Sequence, residues 1–503
     1  MSIGAIGIVV LLTTAGLFAL LGFLYASRQA INLEEFMVSR NRFGPWMAFA
    51  TISASALGVW ILFSPPQVGA SSGITGIVGY CLGSAAPIAL FTQVGPRLRQ
   101  VLPNGHSLNE FVLHRFGNRM YLLILGVIVF YMFIYLSAEL TAIAKAVQLL
   151  TNVPLGWTAL VVITATFLYT TSGGLRSTIF TDAIQFVVIL PLLLISTGIA
   201  LTALGGWDAA LEPVRLQAPE LLSWSNGAGI KFGGTLLLAI LAAEVFNQSN
   251  WQRVYACRTD KTVQQAFLAS ALVILPVLLL SGFLGLLAMH FGFNDDRAFF
   301  LLIQELALPT GVVILVLVLA LALVMSTLSS LLNGIASVFT GDLVRLFPQM
   351  QVQGVLRTSR LLTIGIGLPA ILIAARGYDV LYLFLLADLV CAGAFIPVLA
   401  GLYSRYLNRA IALSAVILGI GTGALFFPRP DFSPWLAIPF GGDLFVSFAV
   451  AVGVSAVVVV VGIGAIARSP NASPFDFSRM ADQVQSYNAT AEERLTAQSN
   501  RSS

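Results

Sequence analysis

The sequence predicts an all-α polytopic membrane protein whose chain crosses the bilayer about thirteen times. Only 10% of its 503 residues are charged and 58% are hydrophobic, whereas soluble proteins carry about 25% charged residues. A membrane-spanning helix needs about 20 apolar residues, and thirteen stretches of the chain are long and apolar enough to be such helices. The net charge of +4 therefore indicates membrane topology rather than a nucleic-acid partner.

The basic residues alternate with the predicted spans. If the amino terminus lies outside, the inner loops and the carboxyl-terminal tail hold twenty of the 26 Lys and Arg residues, and the outer loops hold five. Basic residues accumulate on the cytoplasmic side of membrane proteins. We therefore predict a multi-pass protein of the plasma membrane with its amino terminus outside and its carboxyl terminus in the cytoplasm.

The second predicted span, from Trp46 to about Gly73, contains helix-breaking residues. Gly58 and the pair Pro65–Pro66 interrupt it, and proline removes a backbone donor from a helix. We therefore expect carbonyl groups near residues 54–58 to lack partners within the helix. Inside a membrane, such carbonyls are tolerated where they line a cavity or hold an ion. A simple proline kink is the alternative interpretation.

Polar side chains interrupt several of the later spans. The acids and amides that lie within otherwise apolar segments are Glu139, Asp182, Glu244, Asn247, Gln248 and Asp388. An acid inside the membrane costs about 3 kcal/mol unless a cation or another partner matches it. We therefore expect these side chains to face a cavity or a neighbouring helix. Asp182 lies shortly after a turn predicted at Gly173 and Gly174, toward the inner side.

One later helix carries a face of hydroxyl groups. In the segment ALVMSTLSSLLNG at 322–334, a helical period of 100° per residue places five polar side chains on one face: Ser326, Thr327, Ser329, Ser330 and Asn333. Hydroxyl and carbonyl oxygens are the ligands that a small hard cation accepts in place of water. We expect this face to bind Na⁺. Alternatively, the hydroxyls bond back to their own helix or allow neighbouring helices to approach closely.

These segments together resemble the sodium/solute symporter family, which includes carriers of proline, sialic acid, galactose and glucose. The resemblance covers about residues 30–467 and is carried by YTTSGGLRSTIFTDAIQ, by STLSSLLN and by the WQR after the seventh span. The segments FNQSNWQRVYA and LLADLVCAGAFIP are similar to the urea and polyamine branch of this family.

The resemblance implies a fold of the leucine-transporter type, with two inverted five-helix repeats. The repeats would occupy residues 46–204 and 231–403, after a first transmembrane helix and inner loop at 1–45. Two peripheral helices at 404–467 and a cytoplasmic tail at 468–503 would complete the chain. The broken helices would be the second and seventh spans, as in transporters that bind their substrate near the middle of the membrane.

The resemblance also implies the ion and solute sites. The main sodium site would use the carbonyl oxygens of Ala54, Leu57 and Leu323 and the hydroxyls of Ser326 and Thr327. A second sodium site, found in some members, would use Asp182, Ser326, Ser329 and Ser330. The solute site would include Trp60, Tyr80, Glu244 and Asn247, to which we add the deep acid Glu139. Ala56, Gly58 and Ile61 replace polar residues of the sugar carriers, which disfavours a sugar.

We therefore predict a secondary active transporter that couples Na⁺ to the movement of a small organic solute by alternating access. The solute classes left open are an amino acid such as proline, urea or a polyamine, and a monocarboxylate. Glu244 is the expected acceptor for an N–H or ammonium group. Proton coupling through Asp182, Glu244 or Glu139 is one alternative, and a sensor that binds solute without moving it is another.

Enzymatic activity is not expected. The segment GASSG at 69–73 matches a nucleophile elbow, but that motif needs a strand, a tight turn, a helix and a positioned His. Here it ends a predicted membrane span. We predict no cofactor apart from Na⁺ as the coupling ion, and the sequence leaves the oligomeric state open.

Overall fold

The computed structural model describes residues 3–27, 32–470 and 473–484, and this part of the chain is helical. The helices up to the middle of the chain are α1 (Ile3–Ser27), α2 (Leu33–Met37), α3 (Pro45–Ala56), α4 (Ser64–Val101), α5 (Leu108–Phe116), α6 (Asn118–Thr151), α7 (Leu155–Ala203), α8 (Trp207–Gln217) and α9 (Gly227–Ala243). The remaining helices are α10 (Gln248–Ala256), α11 (Asp260–Ala288), α12 (Ala298–Glu305), α13 (Thr310–Leu346), α14 (Val352–Ala374), α15 (Val380–Tyr403), α16 (Arg409–Phe426) and α17 (Leu444–Ala467).

Eleven helices in the described part of the chain are long and apolar enough to cross a membrane. The difference from thirteen comes from two predicted spans. One is the shorter apolar helix Leu155–Thr171, and the other is divided between α3 and the first part of α4. The protein is therefore a multi-pass membrane protein built from helices, as predicted.

Two of the longest helices are each two helices joined at a sharp bend. Gly73 in α4 has φ 68° and Gly174 in α7 has φ 57°. Only glycine adopts this left-handed region without a steric penalty. The turn predicted at Gly173 and Gly174 is confirmed, and each bend lets one continuous run of residues supply two spans.

The hydroxyl-bearing helix α13 lies at the centre of the bundle. Every residue from Leu319 to Val338 is buried, and α13 packs against α3, α6, α7 and α14. By contrast, α16 and α17 pack mainly on each other and on α15. They leave apolar side chains such as Val457 and Val460 more than 60% exposed, which suits a lipid-facing position. The boundaries of the two predicted repeats stay a prediction.

Part of the predicted tail packs against the predicted inner ends of the spans. The Arg115 guanidinium carbon lies 4.1 Å from the centre of the Phe475 ring, and the Arg97 carbon lies 5.2 Å from that of Phe477. The Phe475 N–H donates to the Arg405 carbonyl at 2.8 Å. Residues 471–472 and 485–503 of the predicted tail lie outside the described residues.

A buried histidine joins two of the predicted inner segments. His106 is 2% exposed, with Nε2 2.9 Å from Glu34 and Nδ1 3.3 Å from Glu110. Burial alone would raise the pKa of Glu34, but hydrogen bonds and charge from His106 and Arg40 lower this pKa to about 2. Burial would lower the pKa of His106, but the two carboxylates outweigh it and raise this pKa above its usual value.

This cluster predicts a pH-dependent contribution to stability. A histidine whose pKa rises on folding stabilises fully below its unfolded pKa of about 6.5 and loses that contribution as pH rises through the folded pKa. Glu34 contributes above about pH 4.3 and loses its contribution only as pH falls toward about 2. His106→Gln should therefore lower the thermal unfolding midpoint at pH 6, with a cost of about 1.5–3 kcal/mol for hydrogen bonds to charged groups.

Thermal unfolding of the purified protein between pH 6 and pH 10 checks this expectation. The deficit of His106→Gln should shrink as pH rises, because wild type then loses the same charge. His290→Gln, which lies outside the cluster, should keep the wild-type pH profile. A deficit for His106→Gln that is constant from pH 6 to pH 10 would contradict this assignment.

Candidate functional site

The second predicted span is broken, as the sequence indicates. Helix α3 ends at Ala56, Leu57 leaves the helical conformation with ψ 80°, and a 3₁₀ turn over Val59–Leu62 follows. Among the described residues, no donor reaches the carbonyl oxygens of Ala54 or Leu57. These two oxygens therefore have lone pairs for a ligand inside an otherwise apolar region.

The hydroxyl face of α13 packs against this break. Thr327 Oγ1 lies 3.4 Å from the carbonyl oxygen of Ser55 and 3.4 Å from that of Leu323. Ser326 and Thr327 are at most 1% exposed. The structure thus brings the two segments of the predicted main sodium site together, whereas the coordination of Na⁺ itself stays a prediction.

Asp182 organises the region next to these hydroxyls. Its carboxylate accepts hydrogen bonds from Thr51 Oγ1 at 2.6 Å and from Ser326 Oγ at 2.8 Å. Arg253 forms an ion pair with it at 2.8 Å, and both side chains are at most 1% exposed. Because the Ser326 hydroxyl donates its hydrogen bond to Asp182, the lone pairs of the Ser326 oxygen stay available to a cation.

The predicted second sodium site contains a guanidinium group. Arg253 Nη2 donates to Ser330 Oγ at 2.6 Å as well as to Asp182, and Ser329 Oγ donates to the Ser326 carbonyl at 2.9 Å. The four predicted residues are therefore neighbours, but Arg253 already lies among them. A sodium ion at Asp182 would require this guanidinium to withdraw, and the second site stays a prediction. The sequence did not indicate Arg253 as the partner of Asp182, although Arg253 belongs to the WQR segment after the interrupted seventh span.

An aromatic cavity with two carboxylates lies between the two broken helices. Trp60 stacks on Tyr80 with ring centres 5.5 Å apart, and Tyr135 meets Phe384 edge-on at 4.9 Å. The lining residues are Trp60, Tyr80, Ser84, Tyr131, Tyr135, Leu236, Ile240, Ala243, Glu244, Leu381, Phe384, Leu385 and Asp388. The set includes Glu244 and Asp388 but no Lys, Arg or His. The free space inside this cavity is small, about 40 Å³.

The two cavity acids have different surroundings. Glu244 follows α9 at the start of a second break and accepts hydrogen bonds from Asn250 at 2.8 Å, Asn247 at 3.2 Å and Tyr131 at 3.4 Å. Asp388 is 5% exposed, and no hydrogen bond or ion pair joins its carboxylate to another described residue. The cavity therefore holds two acids and no basic lining residue, and of these two acids Glu244 alone has hydrogen-bond partners among the described residues.

The predicted solute residues divide into two groups. Trp60, Tyr80 and Glu244 line the cavity. Asn247 instead holds Glu244 and caps α10, and Glu139 binds the backbone of the first break. Asp388 is a lining residue that the predicted site lacked, although a lone acid in an apolar span was a visible signal. The tyrosine and phenylalanine rings carried no such signal, because aromatic residues are common throughout these helices.

Two interrupted helices whose breaks flank one cavity are the architecture of secondary transporters with discontinuous helices. The sequence model of the Sodium:solute symporter family matches residues 36–419. The chain therefore belongs to the sodium:solute symporter family.

Curated relatives agree with this membership, and two solved transporters share the fold. A spermidine transporter, DUR31, of Candida albicans is 30% identical over 376 residues, which are 73% of this chain and 69% of the relative. A sodium/proline symporter of Salmonella typhimurium is 27% identical and covers 80% of this chain and 84% of its own. A substrate-bound, outward-open Na⁺-coupled sialic acid symporter has the same fold, with a TM-score of 0.76, 18% identity and coverage of 92% and 98%. Mhp1, a nucleobase-cation-symport-1 transporter, has a TM-score of 0.57, 16% identity and coverage of 89% and 98%.

The site geometry predicts that the Thr327 hydroxyl is needed for sodium binding. Na⁺ should raise the thermal unfolding midpoint of wild type, since a bound ligand stabilises by mass action. Thr327→Ala removes one oxygen ligand, and we expect the apparent sodium Kd to rise about tenfold, as for a loss of about 1.4 kcal/mol. Thr327→Ser keeps the hydroxyl and should retain most of the affinity.

Thr340→Ala is the matched control. Thr340 is also a buried threonine of α13, but it bonds to Ala336 and Ser359. Sodium titrations of the thermal midpoint in NaCl against KCl measure the difference. An unchanged sodium response in Thr327→Ala would remove this hydroxyl from the ion site.

Proposed function

We propose that this protein is a sodium-coupled symporter of a small organic cation, a solute with one or more ammonium groups. The observation that carries the proposal is Asp388, a buried carboxylate without a partner in the described part of the chain, beside Glu244 in an aromatic cavity. A charged group held away from water needs a counter-charge. A solute ammonium would supply it and would also be attracted to the faces of Trp60 and the tyrosines.

The charge of the cavity argues against other solute classes. A monocarboxylate would bring a further negative charge to Glu244 and Asp388, with no basic lining residue to receive it. Neutral solutes would leave Asp388 without a counter-charge. The similarity to the Candida albicans spermidine transporter supports the same class, because spermidine carries amino groups. The narrow cavity favours a slender solute over a bulky one.

The mechanism begins at the ion site. Na⁺ between the Ala54 and Leu57 carbonyls and the Ser326 and Thr327 hydroxyls would hold α3 against α13. This contact would fix the break and therefore the Trp60 wall of the cavity. The solute would then bind, the outer side would close, and the inner side would open. Na⁺ would leave toward low concentration, and the solute would follow without chemical conversion.

The energy available is sufficient for strong accumulation. One Na⁺ that moves down a tenfold gradient and about 100 mV releases about 3.7 kcal/mol. A solute with a single positive charge gains about 2.3 kcal/mol more from the same potential. The sum of about 6 kcal/mol supports accumulation on the order of 10⁴-fold.

The proposed orientation places the amino terminus outside the plasma membrane and the carboxyl terminus in the cytoplasm. It rests on the distribution of basic residues over the loops. In this orientation, sodium that enters from outside the cell would drive uptake of the solute. Sodium is favoured over protons as the coupling ion because the predicted ion site consists of neutral hydroxyl and carbonyl oxygens.

Uptake into proteoliposomes tests the proposal. A labelled aliphatic diamine should enter when Na⁺ is outside and should enter far less when K⁺ replaces it. Unlabelled polyamines should compete, whereas proline, urea, acetate and glucose should not. Equal uptake in K⁺ without a proton gradient would overturn sodium coupling. Sodium-dependent uptake of proline, urea or acetate that amines do not inhibit would overturn the cation class.

The Asp388 side chain should set the affinity for the cationic solute. Asp388→Asn removes the negative charge, and we expect the apparent KM for the diamine to rise about tenfold or more, as for a lost charge-assisted contact of about 1.5–3 kcal/mol. Asp342→Asn changes an acid of α13 that lies outside the cavity and should leave the KM within about twofold. A wild-type KM in Asp388→Asn would show that Asp388 does not contact the solute.

A further inference from the structure

Glu139 is a sealed carboxylate that lies beside the first break. It is 0% exposed, and its two oxygens accept hydrogen bonds from backbone donors. Val59 N–H donates to Oε2 at 3.0 Å, and Trp60 N–H donates to Oε1 at 3.4 Å. No cation and no other donor contacts Glu139 in the described ranges. Its partners are therefore two backbone groups of the break.

These two donors are the ones that a continuous helix would use to close the break. In an α-helix, the N–H groups of residues 59 and 60 would bond to the carbonyls of residues 55 and 56. Glu139 accepts from both donors, and the carbonyl of Ser55 lies 3.4 Å from Thr327 Oγ1, which is equally close to the Leu323 carbonyl. The carboxylate thus replaces two helix carbonyls as an acceptor. This substitution keeps the segment unwound where the Ala54 and Leu57 carbonyls are needed for the ion.

Gly58 leaves the room for this contact. A Cβ atom at Gly58 would overlap Glu139 Oε1 and the Trp60 ring, so a larger residue would push the carboxylate away. In the sequence, Gly58 and the two prolines were the signals for the break. The structure adds an acceptor from α6 that is 80 residues distant from Val59.

The same carboxylate also adjoins the solute cavity. Trp60, whose N–H it binds, forms one wall of the cavity, and Tyr135, one helical turn before Glu139 on α6, forms another. The ion ligands Ala54 and Leu57 precede the turn, and the solute wall Trp60 lies within it. Glu139 is therefore bonded to the short segment that joins the two sites.

We propose that Glu139 is a positioning residue that couples sodium binding to solute binding. Its two hydrogen bonds anchor the Val59–Leu62 turn, so that a displacement of the Leu57 carbonyl toward Na⁺ reorients Trp60 instead of being absorbed by the backbone. Without this anchor, the turn can move independently of α6, and each site binds its ligand with less effect on the other. This inference rests on the proposed function and adds a specific residue that transmits the coupling.

Two variants remove the anchor from opposite sides. Glu139→Gln keeps the size of the side chain but has a single acceptor oxygen, so that one backbone donor loses its partner. Val59→Pro leaves Glu139 in place and removes the donor to Oε2. Proline suits this position, because Val59 is the first residue of the turn and Gly58 before it is extended with ψ 176°. Thr141→Ala is the control, since this buried α6 hydroxyl bonds only to the Ser137 carbonyl.

The measured quantity is the coupling ratio, the diamine Kd in KCl divided by the diamine Kd in saturating NaCl. Binding of a labelled aliphatic diamine to purified protein gives both values. Sodium titrations of the thermal midpoint without and with the diamine give the corresponding ratio of sodium affinities, which should be the same. We expect a wild-type ratio well above one, and a ratio lower by about fivefold or more in Glu139→Gln and in Val59→Pro. The diamine Kd in KCl should stay within about threefold of wild type, and Thr141→Ala should keep the wild-type ratio.

Other results would overturn the inference. A wild-type coupling ratio in Glu139→Gln, or a parallel loss of both affinities with the ratio intact, would reduce Glu139 to a structural role. A normal ratio in Val59→Pro would show that the hydrogen bonds to the turn do not transmit the coupling. If wild type itself binds the diamine equally in NaCl and KCl, sodium coupling fails, and the inference about Glu139 fails with it. Wild-type binding of Na⁺ without binding of any amine would instead overturn the cation class alone.

Discussion

The structure depends on one constraint: backbone groups that leave a helix inside an apolar bundle must find partners, because water is not available there. At the first break, the N–H groups of Val59 and Trp60 donate hydrogen bonds to Glu139. The Ser55 carbonyl lies within hydrogen-bond distance of the Thr327 hydroxyl. The carbonyl oxygens of Ala54 and Leu57 are left over. A ligand would satisfy them, and a small cation is the ligand that the nearby α13 hydroxyls predict. The protein's own groups therefore satisfy most of the break, and the Ala54 and Leu57 carbonyls stay the predicted sodium ligands.

The four acids inside the bundle show the same principle with charges. Asp182 has Arg253 and two hydroxyls, Glu139 has two backbone donors, and Glu244 has two amides and a phenol. Asp388 has none of these among the described residues. Where the protein satisfies an acid by itself, that acid holds helices together. Where it does not, the missing counter-charge points to the solute.

The arrangement also suggests how this member relates to its family. The predicted sodium-binding segments are among those that carry the family resemblance, whereas the cavity combines aromatic rings with two carboxylates. An ion site made of backbone and hydroxyl oxygens does not depend on the solute, and it can stay the same while the cavity changes. Solute choice then rests on a few side chains from α4, α6, α9 and α15. Family membership and solute class therefore depend on different residues.

Features that are local in the chain could be predicted from the sequence. Hydropathy identified the helices, glycine and proline located the break near Gly58 and the turn at Gly174, and helical periodicity placed the α13 hydroxyls on one face. The motif around Asp182 pointed to the family. Each of these signals lies within a few helical turns, where spacing and composition carry the information.

The folded structure was needed to show which partner each polar side chain has. It paired Asp182 with Arg253, 71 residues apart, assigned Glu139 to the backbone of the break, and placed Asp388 beside Glu244 in the cavity. Periodicity shows which face of a helix is polar but not which helix that face meets. That choice depends on packing between segments far apart in the chain. The same packing decides whether an acid has a partner within the protein or is left without one.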